Sequence, residues 1–354
     1  MGPGSLAADM TSLKTDNLKY SAMIGVGGIG AGSFFALNGD STLGREESRG
    51  GHFLDRRDYC KLHIISHYVK SLLGSEFDVI PVGKVGEDDT GKRLVDEMAD
   101  AGLDMRYIGK SASAPTLFSF CFVYPDGSGG NMTTDDSACS EVDAAYVDEA
   151  EPEFARFDSR GIALAVPEVP IEARAELLKV ATEHNFFKVA SFTSEEIGDA
   201  IKSGMMNDVD LLAINLDEAQ TILDSDVNNM EPAQIAETAV KRFSKINPKM
   251  LVSITAGASG SWSWDGETFN YVPIFRARVQ STAGAGDAHL SGIIAGLTAG
   301  LSLAQAQELG ALVAALSVTS PHTINNEIDR ISLRAFAEES DAQLCNAVRE
   351  MLED

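Results

Sequence analysis

Two glycines and an aspartate stand where a strand-like run ending near residue 279 gives way to a strongly periodic helix. Apolar residues recur at helical spacing from residue 290, so Gly284, Ala285 and Gly286 are predicted to form the first turn of that helix. The N–H groups of a first turn lack partners within the helix and lie at the positive end of its dipole. Because glycine leaves the backbone bare, this stretch predicts a binding site for an anion as large as a phosphoryl group.

Asp287 directly follows these residues. A carboxylate beside an anion site repels the anion, which is tolerable if the carboxylate takes a proton from a hydroxyl that attacks a bound phosphoryl group. The alternative is structural, because an acidic residue in a first turn stabilises its own helix. The stretch therefore predicts either a phosphoryl-transfer site or a capped helix.

The run TAGAGD at residues 282–287, followed by a helix rich in small residues, resembles the C-terminal signature of the ribokinase (PfkB) family of carbohydrate kinases. This resemblance implies that Asp287 is the catalytic base and that residues 284–286 form an anion hole. The usual pattern begins with another Asp, which many members use for a monovalent-cation site. This chain has Ser281 there, so we do not expect it to depend on potassium.

Asn215 and Glu218 follow the apolar run 211–214. Mg²⁺ keeps several of its waters and asks for only a few oxygen ligands, so one Asn and one Glu a turn apart are sufficient. A helix N-cap with an acidic first turn has the same pattern. The pair matches the NxxE motif of ribokinase-like kinases, and the resemblance implies that both residues position magnesium.

A loop of the form TxGxxG follows the apolar run 251–255 and resembles the nucleotide loop of the same family. An Ala/Leu-rich helix at 303–318, with the loop after it, lies where the family closes around adenine. The resemblance therefore implies ATP as the phosphoryl donor. The residues it assigns to the nucleotide are Thr255, Gly257, Gly260, Thr282, Gly310, Ala311 and Ser320.

Residues 40–58 are polar and include a Gly-Gly pair, and residues 116–137 predict a hairpin that begins with an aromatic-rich strand. In ribokinase-like kinases such regions form a lid, and a Gly-Gly pair contacts the sugar. Many members dimerise through these lids, and Phe118, Phe120 and Phe122 would suit such an interface or would face the active site. The acceptor residues that the resemblance implies are Ser33, Asn38, Gly50, Gly51 and Lys61, with Asp55 and Asp58 as alternatives to Lys61.

A rival hypothesis comes from the segment at 25–30, which satisfies GxGxxG after a first strand. This is the pattern of a Rossmann dinucleotide-binding turn, and Glu46 or Glu47 would then bind the ribose. Such a turn should open a helix, yet the chain soon reaches the turn-forming run 38–41. The pattern therefore only weakly favours an NAD-dependent oxidoreductase.

Short apolar runs alternate with helical segments from residue 161 to 255, which predicts a mostly parallel sheet covered on both faces. Together with the resemblance, this predicts an α/β fold: a ribokinase-like three-layer α/β/α sandwich with a small β-sheet lid. We expect the kinase domain to span residues 18–354, the lid to come from about 33–53 and 113–137, and residues 1–17 to be disordered.

The net charge of −25 works against binding the phosphates of nucleic acid or of a membrane surface. The four cysteines lack metal-ligand spacing and no secretory segment is recognisable, so a reducing cytoplasm is expected. His63 and His67 have metal-ligand spacing on a predicted helix. Without a third ligand nearby, they are predicted to be partly exposed surface residues.

These observations predict an ATP- and Mg²⁺-dependent kinase that phosphorylates a hydroxyl of a sugar or sugar-like molecule. A nucleoside kinase of the same family is an alternative. A third possibility is a sugar- or nucleotide-binding member without turnover, which the altered positions around 281 and 33–61 favour and the presence of Asp287 opposes.

Overall fold

The computed structural model describes residues 11–15, 17–39, 42–126, 129–223 and 230–353. The strands are β1 (Ala22–Val26), β2 (Gly30–Leu37), β3 (Gly51–Phe53), β4 (Asp58–Tyr59), β5 (Asp78–Gly86), β6 (Ile108–Ser111), β7 (Leu117–Val123), β8 (Gly129–Thr133), β9 (Gly161–Ala165), β10 (Phe187–Ala190), β11 (Leu211–Asn215), β12 (Leu251–Thr255), β13 (Ser261–Trp264) and β14 (Phe269–Val272). The α-helices are α1 (Lys61–Leu73), α2 (Asp89–Asp100), α3 (Ala144–Asp148), α4 (Glu151–Arg156), α5 (Ile171–Glu183), α6 (Ile197–Lys202), α7 (Leu216–Gln220), α8 (Pro232–Ile246), α9 (Ala285–Thr298), α10 (Leu303–Ser317), α11 (Arg330–Glu339) and α12 (Asn346–Leu352).

The main sheet has nine strands in the order β14-β13-β12-β11-β10-β9-β1-β5-β6. The seven strands from β12 to β6 are parallel, and only β13 and β14 run antiparallel at one edge. Strand β1 lies between β9 and β5, and helices pack on both faces of the sheet. In parallel sheets the helices that connect successive strands pack on both faces and bury them. The predicted α/β fold, with a mostly parallel sheet between two layers of helices, is confirmed.

Alternating residues of the central strands supply two separate cores. On β1, Met23 packs with α1, α9 and α10, whereas Ile24 packs with α5 and α8 on the opposite face. On β5, Val79 and Ile80 divide in the same way. Both faces are apolar, which explains why these strands read as continuous hydrophobic runs in the sequence.

A second sheet combines β3, β2, β7 and β8 in that order, with β4 paired to β2. Its segments, residues 30–59 and 117–133, begin before and extend beyond the expected first lid segment. Strands β7 and β8 form the predicted antiparallel hairpin, whose turn residues Gly127 and Ser128 lie outside the described residues.

In this second sheet (strands β2–β4, β7 and β8), called the lid sheet below, side chains alternate between two faces, so polar and aromatic groups lie on opposite sides. One face carries Asp58, Ser119 and Asn131, which are joined through the Ser119 hydroxyl at 3.1 and 2.7 Å. The opposite face carries the rings of Phe35, Phe53 and Phe120, whose centroids lie 5.1–6.3 Å apart. This aromatic face is open, since Phe53 is 65% exposed.

Residues 1–10 and 16 of the segment expected to be disordered lie outside the described residues, and within 11–15 Leu13 is buried and its N–H donates to Leu72 O at 2.8 Å. Two expectations from the sequence are wrong. His63 is only 1% exposed, because α1 packs against α9 and the ring of Tyr59, and burial lowers the pKa of His63 to about 3. The GxGxxG segment leads from β1 directly into β2 and opens no helix, which overturns the Rossmann hypothesis.

His63 and His67 belong to no cluster of potential metal ligands in the described part of the chain. Within the described ranges, no group of three His, Cys, Asp or Glu side chains is arranged to hold a metal ion. No helix in this part of the chain combines the length and apolar content required to span a membrane.

Helices α9 and α10 pack through glycines. A Cβ atom placed on Gly292 would lie 2.7 Å from Gly310 Cα, and one on Gly310 would lie 2.6 Å from His289 O. Both distances are shorter than side-chain carbons tolerate, so the two backbones touch. This close approach fixes where the N-terminus of α9 lies relative to the sheet.

We expect Gly292→Ala to lower the free energy of unfolding by about 1–3 kcal/mol, because the added methyl group meets backbone atoms that cannot move aside. Thermal unfolding would measure the effect. Gly198→Ala is the matched control: it also lies in a helix, has no atom within 4 Å of the new methyl group, and should be stabilising by roughly 0.5–1 kcal/mol. Equal melting temperatures for the two variants would contradict the close-packing explanation.

Candidate active site

The candidate site lies at the carboxyl ends of the parallel strands. Asn215 ends β11 and is paired in register with Thr255, which ends β12. Both residues line a pocket of about 60 Å³ together with Gly286 and Asp287 of α9. Ligands of open α/β sheets bind at this edge. The chain thus brings three separately predicted motifs to one place.

The first turn of α9 depends on two glycines for different reasons. Gly284 is the N-cap residue and has φ of 78°, a left-handed conformation, and a Cβ there would lie 2.8 Å from Thr323 O. Gly286 has no atom within 4 Å of its Cβ position, so the space beside it is open. The first glycine forms the turn and the second leaves room for a ligand.

The first-turn amides are largely free. The N–H groups of Gly284 and Gly286 have no acceptor among the residues that the structure describes, whereas that of Ala285 donates to Thr282 O at 3.2 Å. Free amides at a helix N-terminus attract anions. This arrangement suits the predicted anion hole, except that Ala285 would have to leave its turn partner to take part.

Asp287 is paired with a lysine from a distant helix. Lys61, the first residue of α1, places Nζ 3.0 Å from Asp287 Oδ1. The two side chains are 33% and 13% exposed, so the pair is partly shielded from water. The pKa of Lys61 is raised, chiefly by the charge of Asp287. Lys61 is the one predicted acceptor residue that lines this pocket.

Further carboxylates surround this ion pair. The Lys61 N–H donates to Glu168 Oε2 at 3.3 Å, and burial raises the pKa of Glu168 to about 7. Burial also raises the pKa values of Asp58 and Glu218, and the charge of Asp287 adds to both shifts. The ammonium group of Lys61 therefore lies among several carboxylates that attract it.

Reasoning from the sequence missed Glu168 and considered Asp58 only as an alternative. Glu168 stands just beyond β9 and has φ of 78°, an unusual conformation for a residue other than glycine. Its position in the sequence could have identified it, since an acidic residue that follows an apolar run at 161–166 must lie at the carboxyl edge of the sheet. Asp58 is opposite Gly32 in the lid, and only the strand pairing reveals that contact.

Reasoning from the sequence also missed His289. It lies on α9, lines the pocket and is 4% exposed, with no hydrogen-bond partner for Nε2 among the described residues. Burial lowers its pKa to about 4, so the ring is neutral at pH 7. A pocket water could satisfy the nitrogen.

Asn215 and Glu218 form a reciprocal cap on α7. Asn215 Oδ1 accepts from the Glu218 N–H and Glu218 Oε2 accepts from the Asn215 N–H, both at 2.8 Å. Asn215 and Glu218 therefore cap α7, as the structural alternative predicts. This cap leaves Glu218 Oε1 without a hydrogen bond in the part of the chain described, at the wall of the pocket.

The pocket fits a hydrated Mg²⁺ ion. Its volume of about 60 Å³ has room for roughly four waters. Mg²⁺ typically binds through one or two carboxylates, with waters and phosphates completing its shell. The free oxygen of Glu218 and the amide of Asn215 supply oxygen donors of this kind.

The residues assigned to the nucleotide lie in three places. Thr255, Gly257 and Gly260 border the sheet edge, with the short 3₁₀ turn Gly257–Ser259 between them. The loops that carry Thr282 and Ser320 are neighbours, because the Gln280 and Ser281 N–H groups donate to Val318 O at 2.8 and 3.3 Å. Gly310 and Ala311 are buried on α10, where Gly310 packs against α9.

Four of the predicted acceptor residues lie away from the pocket. Gly51 pairs with Leu37 at the far end of β2, and the Asn38 N–H donates to Gly50 O at 3.0 Å. This end is about 17 Å along the strand from Gly32 and Asp58, at roughly 3.4 Å per residue. Ser33 alternates with Gly32 and so shares the aromatic face. The structure brings none of these four residues to Asp287.

Comparison with known proteins identifies a family. The family described as pfkB family carbohydrate kinase matches residues 66–330. A relative from Shouchella clausii, 5-dehydro-2-deoxygluconokinase, is 26% identical over 276 residues, which is 73% of this chain and 80% of that protein. The uncharacterized sugar kinase YegV of Escherichia coli is 29% identical over 119 residues, which is 34% of this chain and only 36% of YegV.

Among solved structures, ribokinase of Arabidopsis thaliana complexed with ribose and ATP superimposes with a TM-score of 0.69. The alignment covers 90% of this chain and 98% of that one at 18% identity, so it establishes the fold. The family match covers well over half of the 354 residues. The chain therefore belongs to the pfkB family of carbohydrate kinases.

Proposed function

We propose that the protein transfers the γ-phosphoryl group of ATP to a hydroxyl of a sugar or sugar-like molecule. The observation that carries this proposal is the position of the Asp287 carboxylate one residue after the free amide of Gly286, at the carboxyl edge of the sheet. Base and anion site are then close enough to act on the two ends of one reacting hydroxyl–phosphoryl pair.

In the proposed step, the acceptor oxygen forms a bond to the γ-phosphorus while the bond to the β,γ-bridging oxygen breaks. The acceptor proton passes to Asp287, and the electron pair of the broken bond leaves with ADP. The amides of Gly284 and Gly286, with Ala285 after it leaves its turn, donate to the phosphoryl oxygens. Magnesium near Asn215 and Glu218, when bound, would neutralise phosphate charge.

The acceptor is proposed to lie between the polar face of the lid and Glu168. Burial raises the pKa values of Asp58 and Glu168, and both lie near enough to Asp287 for its charge to add to the shifts. Ser119 and Asn131 adjoin Asp58 on the same face of the lid. Such groups suit the several hydroxyls of a sugar. Ser33, Asn38, Gly50 and Gly51 would reach a bound sugar only if the lid moved.

The adenosine half of ATP is proposed to lie toward the edge strand β14. A cleft of about 390 Å³ begins there beside Tyr271, whose ring adjoins the Cβ position of Gly260. This volume is in the range of small-molecule sites, unlike the small inner pocket. Thr255, Gly257 and Gly260 would lie between the base and the phosphates.

The aromatic face of the lid supports a homodimer. Phe53, Phe118 and Met132 are 65%, 42% and 58% exposed on one sheet face, and exposed apolar patches of this kind mark interaction surfaces. Pairing with a second copy would cover them. Sedimentation of the protein at micromolar concentration would distinguish a dimer from a monomer.

A panel of sugars, sugar acids and nucleosides, each incubated with ATP and magnesium while ADP is measured, tests the proposed activity. Acceptor-dependent release of ADP supports it, and activity confined to nucleosides would favour the nucleoside kinase. Nucleotide binding without turnover on any acceptor would favour a binding protein.

Asp287→Asn should lower kcat by at least about 10²–10⁴-fold, the usual cost of losing a general base. Affinity for Mg·ADP should change little, because Asn keeps the shape of the side chain and also stabilises helix N-termini. Steady-state kinetics and calorimetry would measure the two effects. Asp89→Asn, an exposed first-turn acid of α2, is the control; kcat of Asp287→Asn within twofold of wild type would leave Asp287 only its helix-stabilising role.

Glu218→Gln should raise the magnesium concentration needed for half-maximal activity, because a neutral oxygen replaces a charged one. The α7 cap should persist, since Gln can also accept from the Asn215 N–H. A magnesium titration of turnover measures this, with Asp217→Asn as an exposed control on the same helix. An unchanged titration would indicate that Glu218 only caps α7.

Glu168→Gln should raise the melting temperature at pH 8 and leave it nearly unchanged at pH 5. Burial raises the pKa of Glu168 from 4.5 to about 7, so its contribution to stability is present below pH 4.5 and is lost as pH rises through about 7. Gln imitates the protonated form at every pH. Glu172→Gln, an exposed change on α5, should show no such difference; an equal shift for Glu168→Gln at both pH values would contradict the linkage.

A further inference from the structure

The ammonium group of Lys61 lies against one carboxylate oxygen of Asp287, the proposed base. At 3.0 Å, Lys61 Nζ donates to Asp287 Oδ1 and so occupies one lone pair of that oxygen. An oxygen held in this way is less accessible to an acceptor hydroxyl. Oδ1 therefore becomes available to the acceptor hydroxyl if the ammonium group moves to another partner before the hydroxyl reacts.

We propose that Lys61 moves from Asp287 to the γ-phosphoryl group of bound ATP and is thus a catalytic residue; this inference rests on the proposed kinase function. Lys61 and the free-amide position Gly286 line the same pocket, so the phosphoryl site is within reach of the lysine side chain. The side chain is one-third exposed and has a flexible stem, which permits the movement. Its backbone stays in place through the contact with Glu168.

The electrostatics favour this movement only when a γ-phosphoryl group is present. In the resting protein, Asp287, Glu168 and Glu218 all attract the ammonium group, and Asp287 is in contact with it. A γ-phosphoryl group brings additional negative charge to the amides of α9 and competes for the same cation. ADP lacks that group, so Lys61 would remain on Asp287.

During transfer, Lys61 keeps its proton. The acceptor oxygen bonds to the γ-phosphorus, the bond to the bridging oxygen breaks, and the acceptor proton goes to Asp287. Lys61 neutralises charge on the transferred oxygens, as cationic side chains do in other phosphoryl transfers. Once the phosphorylated acceptor leaves, the ammonium group is free to return to the Asp287 carboxylate.

The test compares the affinities for Mg·ADP and for the non-hydrolysable ATP analogue Mg·AMP-PNP by calorimetry, so it does not require turnover. Lys61→Met should weaken Mg·AMP-PNP binding about tenfold and Mg·ADP binding less than twofold, since only the analogue carries a γ-phosphoryl group. Lys61→Arg should retain most of the preference because it keeps the charge. Lys92→Met, an exposed change on α2, is the control and should match wild type.

An equal loss for both ligands in Lys61→Met, or no loss for either, would overturn the proposal and leave Lys61 a structural partner of Asp287. Binding of Mg·ADP reports that a variant is folded; if Lys61→Met fails this check, Lys61→Gln serves in its place. Wild-type protein that binds neither ligand would refute the kinase function itself. That outcome differs from the one in which wild type binds both ligands and substitution of Lys61 changes neither affinity.

Discussion

The close contact between α9 and α10 is the constraint on which the site depends. Gly292 and Gly310 let the two helix backbones touch, and Gly284 lets the chain turn beside Thr323 before α9 begins. These contacts bring the positive end of α9 to the carboxyl ends of β11 and β12. A bulkier residue at any of these glycines would displace the amides that the proposed reaction needs.

Charge in the site is balanced locally and not by the protein as a whole. The chain carries a net charge of −25, and Asp287, Glu168, Glu218 and Asp58 add negative charge where a polyphosphate is proposed to bind. Among the described residues of the site, the amides of α9 and the ammonium of Lys61 oppose this charge, and a cation bound with the nucleotide would add to them. Attraction of the proposed ATP would therefore depend on a few groups within several ångströms, because long-range fields are screened in salt solution.

Strand alternation gives the lid sheet two different faces. Ser119 and Asp58 project to one side, while Phe35 and Phe120 project to the other side and form an aromatic patch. A shift of one residue in register would exchange the two faces. The parallel pairing of β2 with β7, which joins segments far apart in sequence, fixes this register.

Local patterns in the sequence determined much of the fold. The strand at 251–255, the hairpin ending at Val272 and the termination of α1 at Gly74 follow from short-range periodicity and turn chemistry. The helix N-terminus at residues 284–286 was also readable, because it is a local feature. The tertiary structure alone decided which side chains meet there: Lys61 and Asp287 are 226 residues apart, and no spacing rule links them. Likewise, Gly50-Gly51 had the right composition for acceptor contacts, but strand pairing carries it to the far end of the lid. Contacts set by packing between distant elements leave no periodic trace in the chain, which is why the site was only partly predictable.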